Sequence, residues 1–130
     1  MILEKNLNKL FDRLPVFYKK LHPHRLHTGQ YVEGEPFDYL LISEGVTYCF
    51  DAKEQKNDLH MKEIPIHQFN DLLKAEKHGA AVFFLIYFTH VKKLCFIHPS
   101  VILRDNKATP TSEQVDNVLK IKILKYLDNK

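Results

Sequence analysis

The residues best suited to chemistry are Asp38 and, thirteen positions later, the run Asp51-Ala52-Lys53. Asp38 heads an apolar run, Asp38-Tyr39-Leu40-Leu41-Ile42, and Ser43-Glu44-Gly45 supplies a turn. Val46 to Lys53 then reads as a β-branched and aromatic strand. In an antiparallel hairpin turning near Ser43–Gly45, Asp38 and Asp51 come close to opposite each other. Asp51 and Lys53 are two apart and point to the same face. Two carboxylates and an ammonium then cluster at one end of a sheet. Two carboxylates can hold a hard divalent cation such as Mg²⁺, which prefers oxygen ligands and keeps several waters. Such an ion activates a water and neutralises charge building on a phosphodiester. A lysine beside it can orient the water or stabilise the pentacovalent transition state. The backbone carbonyl of Ala52 is a further oxygen ligand.

The same residues have a plainer reading, in which Asp38 caps a turn and Asp51–Lys53 is an ion pair worth under about 1 kcal/mol. Two features favour the chemical one. Asp51 follows a very apolar run, and a partly buried acid without a partner is costly, so it calls for a cation. Other polar groups can also converge on the same end. Glu4 lies at the edge of the apolar stripe of a first helix and can face the sheet, and Gln68 shares a helix side with Leu72 and can orient a water or a phosphate oxygen. Glu54 points to the other face and is expected to be solvated.

The elements that must position these groups can be read from periodicity. Leu3, Leu7, Leu10, Phe11 and Leu14 predict a helix over 2–14 ended by Pro15. A short helical piece is expected over Val16 to Leu21, loop over 22–35 with an edge strand near Tyr31, and loop over 54–63. Pro65 and Gly79 bracket a helix whose buried face is expected to be Ile66, Phe69, Leu72 and Leu73. Ala80 to Phe88 is a continuous apolar run, the pattern of a strand covered on both faces. Leu94 to Ile97 reads as another strand, and 99–104 as a helical turn. Residues 112–127 satisfy both a helical spacing (Val115, Leu119, Ile123, Leu127) and a strand alternation over Leu119–Ile123. The order helix, strand, strand, helix, strand, strand is that of a mixed α/β layer fold with a small central sheet.

The 130 residues fit a single domain, 1–130. The apolar run Ala80–Phe88, nine residues long, is less than half of a membrane span, so no membrane contact is expected. The start of the chain lacks the apolar stretch of a secretory signal. Cys49 and Cys95 sit in apolar strand-like runs, which argues against a disulfide scaffold or a cysteine zinc site and for a reducing cytoplasm. Charge is unevenly spread: 1–30 carries net +4, 31–78 net −5 and 79–130 net +4. An acidic centre between basic flanks suits a cation site beside surfaces that hold a polyanion, although charges spread over a solvated exterior give the same counts.

The runs Pro36-Phe37-Asp38-Tyr39 and Tyr48-Cys49-Phe50-Asp51-Ala52-Lys53-Glu54 resemble the PD-(D/E)XK nuclease signature. Ile64-Pro65-Ile66-His67-Gln68 followed by Gly79-Ala80-Ala81-Val82-Phe83-Phe84-Leu85-Ile86 resembles the RecU-type Holliday-junction resolvases, as does Glu4-Lys5-Asn6 followed by Phe17-Tyr18. The resemblance covers roughly residues 1–98. It implies a restriction-endonuclease-like mixed central sheet flanked by helices, with Asp38, Asp51 and Lys53 as the metal and catalytic set. Glu4 is then the first-helix acid completing the metal shell, and Gln68 the auxiliary polar residue. It also implies Mg²⁺ or Mn²⁺, branched DNA as substrate and a homodimer that cuts two strands. The sequence departs from those resolvases in carrying Asp51 where Glu is usual, and in having only 22–35 where they build a long stalk.

Lys19, Lys20, Arg25, Lys56, Lys92 and Lys93 are candidate contacts to a DNA backbone, which position a duplex without reading its sequence. His22, His24 and His27 share one loop and could touch phosphates or, less readily, hold zinc. The rings of Phe83, Phe84, Tyr87 and Phe88 read as core. The resulting expectation is a metal-dependent endodeoxyribonuclease. The competing classes are a non-catalytic DNA-binding module of the same fold and a protein-interaction subunit.

Overall fold

The computed structural model describes residues 2–21 and 37–128. Arg25, the loop of His22, His24 and His27 and the edge strand expected near Tyr31 lie outside the described residues. The first helix, α1 (Ile2–Arg13), buries Leu3, Leu7, Leu10 and Phe11 along one stripe and stops before Pro15. The next segment departs from expectation. Phe17–Lys20 is a strand, β1, not a helical piece. After Pro15 only a stretch too short to sustain a helix remains, and its aromatic residues suit a sheet edge. Tyr18 turns inward there to meet the ring of Phe11 at 5.3 Å.

Strands β2 (Tyr39–Ser43) and β3 (Val46–Gln55) form the expected hairpin. Its two connecting residues, Glu44 and Gly45, have φ of 52° and 80°, the paired positive values of a type I′ turn. Ser43 pairs with Val46 and Tyr39 with Phe50, so the next opposed pair beyond the ladder is Asp38 with Asp51. The turn therefore sets the register that brings the two acids together. A Cβ on Gly45 would meet nothing within 4 Å, so substitution there acts through backbone strain alone. Gly45→Val is expected to cost about 1–2 kcal/mol. Gly45→Asn should cost less, since Asn tolerates positive φ, and the order of urea midpoints should be Gly, Asn, Val.

β3 runs two residues past Lys53 because β5 (Ala81–Phe88) pairs with it in parallel as far as Gln55–Phe88. The rest of the expected 54–63 loop is also ordered. Leu59–His60 (β4) pairs with Lys107–Ala108 (β7), and a 3₁₀ turn covers Met61–Glu63. Helix α2 (Ile66–Lys77) makes the crossover from β3 to β5 and buries Phe69 and Leu72. Ile66 was expected in its buried face but is 71% exposed; Ile64, just before Pro65, takes the core position instead. β6 (Lys93–Ile97) closes the five-stranded sheet, in the order β1-β2-β3-β5-β6 with only β3 and β5 parallel. Among the described residues the outer edge of β6 is occupied by the segment after α3 (Pro99–Asp105): the Phe96 N–H donates to Gln114 Oε1 and its carbonyl accepts from Val115 N.

The tail's two periodicities resolve as a helix, α4 (Val118–Asp128). Leu119 and Ile123 are fully buried while Ile121 is 56% exposed; a strand would have placed all three on one face. α1 and α4 cover one face of the sheet, α2 and α3 the other, giving a core on each side. On the α1 face the rings of Tyr39, Phe50 and Phe83 stack across three adjacent strands at 5.1 and 4.8 Å. This row lies directly beside Asp38 and Asp51 and makes a stiff floor under them.

Candidate active site

Where the β2–β3 ladder ends, two side chains replace the backbone pairing. The Asp38 N–H donates to Asp51 Oδ1 at 3.0 Å, and the Ala52 N–H donates to Asp38 Oδ2 at 3.0 Å. Each acid thus accepts a hydrogen bond from the other strand's backbone. A residue's N–H and C=O leave an extended strand on the same side. The Ala52 carbonyl therefore faces the side on which β2 has ended and Asp38 sits, as a ligand role requires.

Asp51 is 1% exposed. Its Oδ1 is held by Asp38 N, while Oδ2 is buried with no hydrogen-bond partner among the described residues. Burial pushes its carboxyl up to about 7, and the neighbouring Asp38 charge adds to this against the opposing pull of Lys53. Buried, partnerless carboxylate oxygens are rare because they are costly, and a cation is the usual remedy. Lys53, two residues on and on the same sheet face, passes 5.9 Å over the ring of Phe84. On α2, Gln68 Oε1 is likewise buried without a partner among the described residues.

Glu4 stands differently from expectation. Among the described residues no three His, Cys, Asp or Glu side chains come close enough to hold one metal ion. Glu4 does not join Asp38 and Asp51 directly, because Lys20 lies between. The Lys20 ammonium is 3.6 Å from Glu4 Oε1 and 3.6 Å from Asp38 Oδ1. Lys20, which the sequence reading placed among backbone contacts to DNA, is thus engaged inside the site. α1 is held at this height by Tyr39, whose hydroxyl donates to Asn8 Oδ1 at 2.9 Å. Asn8 is one helical turn from Glu4, and that spacing was the available signal for a second site-facing residue on α1. Burial, then the charges of Glu4 and Asp38, push the Tyr39 phenol up, so it stays a neutral donor.

The remaining candidate lysines are exposed. Lys19 is exposed on β1, Lys56 on the turn after β3 and Lys92 on the β5–β6 turn. Lys93 donates to the Pro110 carbonyl at 2.7 Å and helps hold the C-terminal segment. An apolar cleft of about 440 Å³ between α1 and α4, lined by Leu3, Leu7, Tyr87, Ile123 and Tyr126, is on the other side of the sheet from Asp51 and carries none of these groups.

The arrangement is a set of oxygen donors with one free buried carboxylate oxygen and an adjacent ammonium, suited to a divalent cation and to an anionic ester. The solved structure of Hjc, a Holliday junction resolvase from the archaeal hyperthermophile Archaeoglobus fulgidus, is similar with a TM-score of 0.62 and 13% identity, over 85% of this chain and 92% of that one. At that identity the likeness speaks for the fold, the restriction-endonuclease-like sheet expected from the motifs. No curated protein matches the sequence. The family model RecU, described as Recombination protein U, matches residues 13–126. The match extends through the C-terminal segment, where the motifs alone showed no likeness, and it begins after Glu4. The chain belongs to the RecU family of Holliday-junction resolvases.

Proposed function

We propose that this chain is an endodeoxyribonuclease that uses Mg²⁺ or Mn²⁺ to hydrolyse phosphodiester bonds in branched DNA, and that it works as a homodimer in the cytoplasm. The observation that carries the metal requirement is Asp51: a fully buried carboxylate, clasped to Asp38, with one oxygen left without a partner among the described residues. The donors present fit a hard cation, since Asp38, Asp51 and the Ala52 carbonyl offer only oxygen. Those three groups would hold the ion. Bound there, it would lower the pKa of a water and offset charge on the phosphate.

The chain's own residues supply the rest. Lys53 sets a positive charge on the same face as Asp51, where it can stabilise the extra negative charge on the phosphoryl oxygens as a water oxygen adds to phosphorus and a P–O ester bond breaks. Gln68 Oε1 can accept a hydrogen bond from the attacking water and orient it. The hydrogen bonds between Asp38, Asp51 and Ala52 hold the carboxylates in place before substrate arrives, which is what electrostatic catalysis needs. Lys19 and Lys56 are exposed and available for contacts to the sugar–phosphate backbone.

Incubation of the purified protein with linear, nicked, flap and four-way DNA tests this reading. Cleavage is expected with Mg²⁺ or Mn²⁺, none with chelator, and the branched forms should be cut preferentially. Salt-sensitive binding without cleavage under any metal would instead identify a DNA-binding module.

A further inference from the structure

Lys20 is surrounded as a bound cation would be. It lies opposite Tyr39 in the β1–β2 ladder, so the two side chains share the α1 face of the sheet. Its ammonium passes 5.3 Å over the Tyr39 ring, and the side chain is only 15% exposed. Around Nζ stand Glu4 Oε1 and Asp38 Oδ1, each at 3.6 Å, and the Leu21 carbonyl at 3.3 Å. Two carboxylates and a carbonyl, drawn from α1 and from the ends of β1 and β2, make an oxygen shell of the kind a hard cation takes. Among the described residues the oxygens without a partner, Asp51 Oδ2 and Gln68 Oε1, belong to residues on the α2 side of the sheet.

We infer that Lys20 is a built-in cation filling the second of two cation positions, so that each chain takes a single divalent ion and Glu4 is held by Lys20 rather than by that ion. The inference rests on the metal reading above and refines it. Charge balance agrees. Among the described residues, ionised Glu4, Asp38 and Asp51 face Lys20 and Lys53, a net charge of −1, which one divalent ion takes to +1 and a second would take to +3. Lys20 is therefore a positioning residue: it fixes Asp38 Oδ1 while Oδ2 is fixed by the Ala52 N–H.

The test is Mn²⁺ titration of the metal-stripped full chain, following free Mn²⁺ by electron paramagnetic resonance, with folding checked by circular dichroism. The wild type should bind one ion per chain. Lys20→Met should bind two, the first about tenfold more tightly because a like charge beside it is gone. Lys20→Arg should bind one. Glu4→Gln keeps Lys20 and the Asp38–Asp51 pair, so it serves even if Lys20→Met does not fold; its Mn²⁺ affinity should stay within about threefold of wild type. A wild type that binds two ions, a folded Lys20→Met that binds one with unchanged affinity, or a tenfold loss in Glu4→Gln overturns the inference. A wild type that binds no ion removes the metal reading itself, and this inference with it.

Discussion

Asp51→Asn is expected to abolish cleavage and, at the same time, to raise the melting temperature of the metal-free protein above neutral pH. The two effects share one cause. The Asp51 carboxyl ordinarily titrates at 3.8 but is pushed up to about 7 in the fold, chiefly by burial and then by Asp38. Below pH 3.8 it is protonated whether the chain is folded or not, and its burial costs nothing electrostatic. As pH rises from there to about 7, the unfolded chain ionises first, so the folded state loses stability; above about 7 the full cost is present. A shift of this size corresponds to about 2–4 kcal/mol. Asn keeps an oxygen to accept from Asp38 N and replaces the partnerless oxygen with an N–H₂ beside Asp38. Its melting temperature at pH 8 without metal should exceed the wild type's by roughly 5–10 °C.

Metal reverses the comparison. A divalent ion binds the ionised carboxylate, so the wild type's gain in melting temperature on adding MgCl₂ should grow between pH 5 and 8. In Asp51→Asn that gain should vanish, along with at least 10³-fold of the cleavage rate. Thermal melts across this range with MgCl₂ or EDTA, paired with cleavage assays, provide the check. A variant less stable than wild type at pH 8 in EDTA would show that Asp51 has a partner in solution, and the reading of its free oxygen would fall.

Lys53→Met should separate binding from chemistry. Among the described residues the Lys53 side chain makes no hydrogen bond that holds the hairpin together; the clasp is made by Asp38, Asp51 and Ala52. Met keeps most of the stem against Phe84. The folded state and the metal-induced rise in melting temperature should persist, with the ion held somewhat more tightly once a like charge is gone. Cleavage should still fall about 10²–10³-fold, the usual cost of removing one preorganised group that stabilises charge in the transition state. The loss should appear in kcat rather than in DNA affinity. Cleavage within tenfold of wild type would remove Lys53 from the chemistry.

The pairing of Asp38 with Asp51 was legible in the sequence because it is local. A turn signal lies midway between them, and a strand's period of two then settles which side chains share a face. The same locality made α1 and α2 readable, each with its own periodicity and its own stop, in Pro15 and Gly79, and β5 readable as an unbroken apolar run. Elements without that signal depended on what they met. Phe17–Lys20 became a strand because the edge of β2 was there to pair with it. Leu59–His60 became one because Lys107–Ala108, far along the chain, came alongside. The tail satisfied two periodicities at once, and only the apolar surface waiting for Leu119 and Ile123 made it a helix.

The sequence by itself therefore determined a hairpin with two acids and a lysine at its open end, and the order of α1, α2, β5 and β6 around it. The tertiary structure decided how much free energy is held there. Whether Asp51 keeps a free oxygen depends on what buries it, and burial comes from α2 and β5 packing over β3. Whether Glu4 reaches the metal or Lys20 depends on how α1 docks, through Asn8 and Tyr39, onto strands it does not adjoin in sequence. Glu4, Lys20 and Asp38 are separated by sixteen and then eighteen residues. No local pattern spans such gaps; side-chain charge acts over a few ångströms, and only the packed fold decides which charges come that close.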